Sequence, residues 1–587
     1  MTPTEKYGVS NQENLLKSYE AGNFLETLYA CLTADHDARG ALALDLVALH
    51  NEGLIDVVGA FESLSNKSSN GPDFFLTRHV FEKALPSLDA PALSVMRCVL
   101  QLYRDAGQDL AAGAIINGYV DFCANQPSRL REALTEIEAH PNEYADLLTA
   151  TLSAGFRVDN PYYLEQAIRL CEGESIELKK GAVFSLGNLN LPPGNAMSDS
   201  AIAALERSAI VEVDDQILAR LVKPAFMLLQ KEKAQEHRIV SLLMIALTKG
   251  GEYTLHAASE VFGFYTSEIS ASLLEILFSH FARVQPTNKG TLNNIDYGIS
   301  HLLNKENPDR AIQFLEDLLL AYPNDLTMGV FDDAAREILG NNALISKVLT
   351  RWFLRGNRVL CEGVHIIVSS HHHDGLPLEI DPSELKSPNT VHMVLLARKA
   401  IGYLFMQQIC VASILISLMR HATEDETLEI LGTLLFDPLL LNYTGKTREY
   451  VIQQSRRESG KVKQALDNAL KAIDDYLNNL RAVGDLAALH PSEAQREAYY
   501  RHSSRLIAKS MKDAESKSVF LQLVSKSVLL YGRKSINYVY GADGQSHRTE
   551  IPLKSHGIEM EFPRMENLDP FGLDYMLRVF RNERISA

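Results

Sequence analysis

Apolar residues recur along most of this chain at intervals of three and four. Leu273, Leu274, Leu277, Phe278 and Phe281 are one such set, and that spacing places them on one face of a helix. The stretch "DRAIQFLEDLLLAY" has the same period, stops at Pro323, and follows Asn307-Pro308-Asp309. There the Asn caps free N–H groups, the Pro fits a first turn, and the Asp suits the positive helix end. Gly250-Gly251 separates "RIVSLLMIALTK" from "EYTLHAASEVFGFY", which predicts two helices joined by a short turn. Segments of this kind succeed one another from about residue 10 to 350.

The pattern predicts a mainly α protein, a multi-helix and α-solenoid-like array. Three regions are expected: a helical array over 1–350, a helical core block over 351–450, and a basic region over 451–587. At 587 residues the chain is too long for a single compact core. No fixed repeat length is present, and the spaced Trp, Leu-Gly and Tyr of tetratricopeptide repeats are absent. The segments "ELKKGAVFSLGNL", "DDQILARLVKPAFMLLQK" and "EHRIVSLLMIALTK" resemble the helix pairs of HEAT and armadillo repeats. The resemblance spans roughly residues 80–350 and is one of fold. It implies stacked helix pairs and assigns no functional residue. A non-repetitive helical domain is the competing reading.

Two stretches qualify the picture. Between Lys399 and Arg420 lie the uncharged residues "AIGYLFMQQICVASILISLM", long enough to span a bilayer. Gln407 and Gln408 fall mid-stretch, Ser413 and Ser417 follow, and no second such segment exists; a buried core helix is therefore expected, and no membrane association. Further on, Val462, Leu466, Ala469, Ile473, Tyr476 and Leu480 step by four and three. So short a heptad seam is expected to pair within the chain rather than make a dimer.

Near the C-terminus the period changes to two. "SINYVY", the turn "GADGQ", "HRTEIPL" and "GIEMEF" predict a small antiparallel β-meander over about 535–563, with Ile558, Met560 and Phe562 on one face. A final helix is expected behind it, capped by Asp569, with Pro570 at its first position and Leu573, Met576, Leu577 and Phe580 facing inward.

Charge divides the chain. Residues 1–450 carry 36 Lys+Arg against 57 Asp+Glu, and residues 451–587 carry 21 against 17, which together give the net −17. The long acidic part argues against nucleic-acid binding along its length, since phosphates need cations. In the last quarter, Arg501, Arg505, Lys509 and Lys512 recur at helical spacing beside Tyr499, Tyr500 and His502, and Arg533, Lys534, Arg548 and Lys554 add charge near the meander. These are the candidate nucleic-acid contacts. Asp513 and Glu515 dilute the stripe, so a solvated helix face is the plainer reading.

Catalytic motifs are scarce. His371, His372 and His373 precede Asp374, but neighbouring side chains diverge in strands and helices alike. At best His371, His373 and Asp374 converge with help from Cys361, Glu362 or His365. A solvated loop is favoured over a metal site. "YTGKT" (443–447) ends like a phosphate-binding loop, yet the required earlier glycine is Leu440. Glu424, Asp425 and Glu426 behind Thr423 suit a helix start. Six scattered cysteines without a C-x-x-C pair fit a reducing compartment. The polar N-terminus lacks a signal-peptide pattern and "NERISA" lacks a lipidation motif, so cytoplasmic residence is expected. Taken together, a non-enzymatic scaffold or adaptor for a protein partner, within a larger assembly and without a cofactor, is the leading expectation. A nucleic-acid-binding component and a metal-dependent enzyme are the alternatives.

Overall fold

A computed structural model describes the chain except for residues 1–2, 35–37, 67–71, 108, 110, 306–307, 370–374, 386–388, 485, 488–489, 520–523, 531–533, 541–545, 553–560 and 585–587. The described chain forms two compact units, residues 1–301 and 302–587.

In the first unit, consecutive helices alternate between two layers. Leu148–Val158 packs on Ile176–Asn188, which packs on Asp215–Lys231, which packs on Glu252–Tyr265. Asn160–Cys171, Ala196–Val211, Glu236–Lys249 and Ala271–Phe281 stack beside them as the second layer. The alternation also runs through the helices that precede residue 148. Each helix buries a stripe, as Ile217, Leu218, Leu221, Val222, Ala225, Phe226, Leu228 and Leu229 do in Asp215–Lys231; stacking is the way such a stripe is removed from water. This is the helix-pair arrangement that the HEAT-like resemblance implied.

First-layer helices begin at 176, 215, 252 and 289, steps of 39, 37 and 37 residues. The period lies in the geometry and not in a repeated motif. Two devices tie successive helices together. Arginines, exposed or half-buried, tie each second-layer helix to the previous one: Arg169 to Glu138 at 2.5 Å, Arg207 to Glu172 at 2.6 Å and Arg238 to Glu206 at 2.6 Å. Surface pairs of this kind are each worth at most about 1 kcal/mol and chiefly set register.

The second device is a cap lent by a neighbour. Asp215 opens one helix, and its carboxylate accepts from the N–H groups of Gly251 (2.6 Å), Tyr253 (2.9 Å) and Thr254 (3.2 Å) at the start of the next. Burial raises the Asp215 pKa, but the Thr254 hydroxyl and these N–H groups outweigh it and leave the carboxyl below its usual value of 3.8. Ionised Asp215 therefore stabilises the fold above about pH 4, and the gain disappears as pH falls through the lower folded value. Asp215→Ala is expected to cost about 2 kcal/mol at pH 7. In denaturant titrations at pH 7 and pH 3, the gap between variant and wild type should shrink at the lower pH; an equal gap at both would refute the charge-dependent cap.

The second unit stacks in the same manner. Asn342–Arg355, Thr390–Leu404, Asp425–Leu434 and Gly460–Val483 pack in succession, and Gln408–His421 packs on Lys446–Ser455. The uncharged stretch expected to be one buried helix is two. Thr390–Leu404 ends, Phe405 to Gln407 turn, and Gln408–His421 returns; both helices are buried along nearly their whole length. The Tyr443 hydroxyl donates to the Phe405 carbonyl at 3.0 Å and satisfies the break. Among the described residues, no helix is long and apolar enough to cross a membrane. Ser413 and Ser417 have a structural use: their hydroxyls accept the backbone N–H groups of Leu378 and Ile380. They pin the segment that follows the histidines onto this helix.

The heptad seam lies within the chain. Leu466, Ala469 and Ile473 are buried against Asp425–Leu434 and Lys446–Ser455, while Leu480 stays exposed.

The sheet has three antiparallel strands in sequence order: β1 (Val524–Leu530), β2 (Lys534–Tyr540) and β3 (Ser546–Pro552). The meander thus begins about ten residues earlier than its expected start at 535. "VSKSVLL" pairs with "KSINYVY", Val528 opposite Ile536 and Leu530 opposite Lys534. The signal was its alternation, which a run of three apolar residues at its end obscures. Ile558 and Met560 lie outside the described residues, and Phe562 is exposed.

Candidate functional site

The basic stripe lies on a helix of 25 residues, Glu493–Lys517, opened by a capping box in which Ser492 and Gln495 bond reciprocally. None of its described side chains is buried. At 100° per residue, Arg501, Arg505, Lys509 and Lys512 fall within about 80° of one another, so the expected stripe is real. On the opposite side the same helix exposes Tyr500, Ile507 and Met511. Acids temper the charge. Arg501 pairs with Glu497 at 2.5 Å, and Lys534 and Arg548 both reach Glu550 in the sheet. Arg533 lies outside the described residues, as do His371, His373 and Asp374. Among the described residues, no three His, Cys, Asp or Glu side chains are placed to hold a metal ion. Cys361 turns into the core, where burial pushes its thiol up to about 12, and Glu362 pairs with Arg358.

Sequence reasoning missed the best-organised polar cluster, where the C-terminal segment docks on the second unit. Glu561 places its carboxylate on the N–H groups of Gly445 (2.7 Å) and Lys446 (3.1 Å). The "GKT" stretch therefore opens a helix and holds an anionic group of this same chain, as helix N-termini do. Met565 N–H donates to Asn442. The last helix, Pro570–Asn582, then packs on Thr390–Leu404. Asp569 caps it, Leu573 is buried, and Met576, Leu577 and Phe580 are half-buried, as expected.

Five contacts fix its end. Lys399, 0 % exposed, donates to the carbonyl of Arg581. Arg581 donates to the carbonyl of Gly402 and lies 5.9 Å from the Tyr403 ring centre. Arg398 pairs with Glu583 at 2.6 Å and lies 5.6 Å from the centre of the Phe580 ring. Gly402 allows a close approach: a Cβ there would lie 3.1 Å from the Arg581 backbone nitrogen, a tight contact. A buried ammonium at the negative end of a helix is favourable. Burial still holds Lys399 below the usual lysine range, with Arg584 acting the same way and Glu583 opposing. Burial, and then Arg581, lowers His365, and burial raises Tyr403 to about 12.

With its inner face docked, the last helix turns its other face to solvent. Phe571 is 86 % and Tyr575 72 % exposed, and Val579 follows one turn on, with Leu568 and Phe562 just upstream. Aromatic and aliphatic groups at i, i+4 and i+8 on a fixed helix form a continuous apolar strip.

The fold and this docked segment define a mainly α protein of stacked helix pairs with a small three-stranded sheet near its C-terminus. No protein-family model matches the chain, and no curated protein matches it. Among solved structures it is similar to a "Circular tandem repeat protein with novel repeat topology and enhanced subunit contact surfaces". That likeness covers 82 % of this chain and 98 % of the other, at 13 % identity and a TM-score of 0.14. The fold description rests on the helix order above and not on that likeness.

Proposed function

We propose that this chain is a non-enzymatic helical scaffold that holds a protein partner within a larger assembly, using the exposed face of its C-terminal helix. The observation that carries this reading is the strip Phe571, Tyr575 and Val579 on a helix whose opposite face is already anchored. Large rings on a pre-ordered helix offer apolar area without the entropic cost of folding on contact. The partner is a protein surface with a matching apolar groove. Stacked helix pairs supply a broad support for such a contact.

Because apolar burial is not screened by salt, the partner should stay bound in about 1 M salt. The test is affinity capture from the native host, with and without nuclease, by wild type and by Phe571→Ser with Tyr575→Ser. A partner that survives salt and nuclease, and falls at least tenfold with the double variant, supports the proposal. No partner, or equal capture by both, overturns it. Loss on nuclease treatment overturns it in favour of nucleic acid at the Arg501–Lys512 stripe.

A further inference from the structure

The docked C-terminal segment also completes a cleft of about 410 Å³ whose lining includes Arg355, Gly356, Arg358, Leu395 and Arg584. Three of these residues are arginines, drawn from the turn between two helices and from a position more than two hundred residues later. Arg355 pairs with the fully buried Glu316 at 2.6 Å, and Arg358 pairs with Glu362 at 3.1 Å. Arg584 is the third arginine of the lining. Three arginines thus line the cleft, two of them paired with a carboxylate. The start of the twelve-residue helix Arg358–Ser369 adds its positive end, and Gly356, at φ +62, lets the chain turn there within reach of Lys399. Pro323, Leu354, Val359 and Leu395 form apolar walls.

We infer that this cleft binds a phosphorylated small molecule, its phosphoryl group held by Arg355, Arg358 and Arg584 and its organic part against the apolar wall. Guanidinium forks match the geometry of phosphate oxygens and remain charged at all working pH values. The volume is that of a small-ligand site. The site is distinct from the aromatic strip and does not depend on the partner reading.

The protein carries its own reporter. Its single tryptophan, Trp352, donates from Nε1 to Glu316 at 2.8 Å, and Glu316 holds Arg355. A phosphoryl group that draws on Arg355 disturbs that chain and the indole with it. The experiment is equilibrium dialysis of the full chain against labelled inorganic pyrophosphate, paired with Trp352 fluorescence, and with acetate as the singly charged control.

Saturable uptake of pyrophosphate, no saturable response to acetate, and at least a tenfold loss of affinity in Arg358→Ala with Arg584→Ala are expected. Both residues line the cleft and are exposed, and an unchanged melting temperature shows that the variant is folded. Arg505→Ala with Lys509→Ala, on the separate basic helix, should leave uptake unchanged. No saturable uptake by wild type, or equal uptake by the cleft variant, overturns the proposal. Uptake abolished by the Arg505 and Lys509 changes assigns the anion to that helix and overturns it as well.

Discussion

Replacing Gly187 by alanine is expected to destabilise the first unit by about 3 kcal/mol. The added Cβ would lie 2.2 Å from the Cα of Pro224 and 2.7 Å from its carbonyl oxygen. Those are backbone atoms in the middle of the helix Asp215–Lys231, so no side chain can swing aside. The helices Ile176–Asn188 and Asp215–Lys231 would have to separate, and Leu186, Val222 and Phe226, all buried in this region, would lose packing on both sides. Close-packed interiors do not absorb such a shift locally. Gly40→Ala is the control: it lies in the helix Arg39–Asn51 with nothing within 4 Å of an added Cβ. There the change should be neutral or slightly stabilising. Denaturant midpoints of the two variants measure the difference. A Gly187→Ala midpoint equal to that of wild type would mean that this helix crossing is looser than described.

The second large effect is expected at Lys399. Lys399→Met keeps the length of the side chain but removes the ammonium that serves the Arg581 carbonyl. A half-buried carbonyl left without its charged donor costs about 2 kcal/mol, which corresponds to about a thirtyfold rise in local opening. Residues 570–582 should then exchange their amide hydrogens about thirty times faster, with no change in the first unit. Arg398 and Glu583 remain paired in this variant, so the segment loosens and stays attached. Unaltered exchange over 570–582 would show that the apolar face around Leu573 anchors the helix by itself.

The two effects differ in how far the sequence announced them. Helix type, and most helix ends, were legible. Gly250-Gly251 falls at the break between Glu236–Lys249 and Glu252–Tyr265, and the helix after Asp309 ends at Ala321, two residues before Pro323. Local hydrogen bonding and apolar period decide such features, and both are written over a few turns. The uncharged stretch predicts one helix where the structure has two, because apolar composition on all sides carries no direction. The break at Phe405–Gln407 is satisfied by Tyr443, which reaches it from the turn before Lys446–Ser455.

The basic stripe from Arg501 to Lys512 was visible because helical spacing alone creates it. The cleft was not. Arg355, Arg358 and Arg584 are ordinary surface arginines in the sequence, and Lys399 is only the border of an apolar run. Arg355 and Arg358 are three residues apart, but nothing within several turns of them signals Arg584 or Lys399.

By itself, then, the sequence determined a helical chain with paired, amphipathic helices, a small sheet near its end, and a capped last helix with Leu573 inward. Short-range periodicity and capping chemistry are sufficient for that. Tertiary structure alone decided the 37-residue step of the stack, the loan of Asp215 to the next helix, the burial of Lys399 under Arg581, and the gathering of three arginines at one cleft. Each depends on which helices become neighbours. That choice comes from the summed fit of whole faces, which no single stretch of sequence contains.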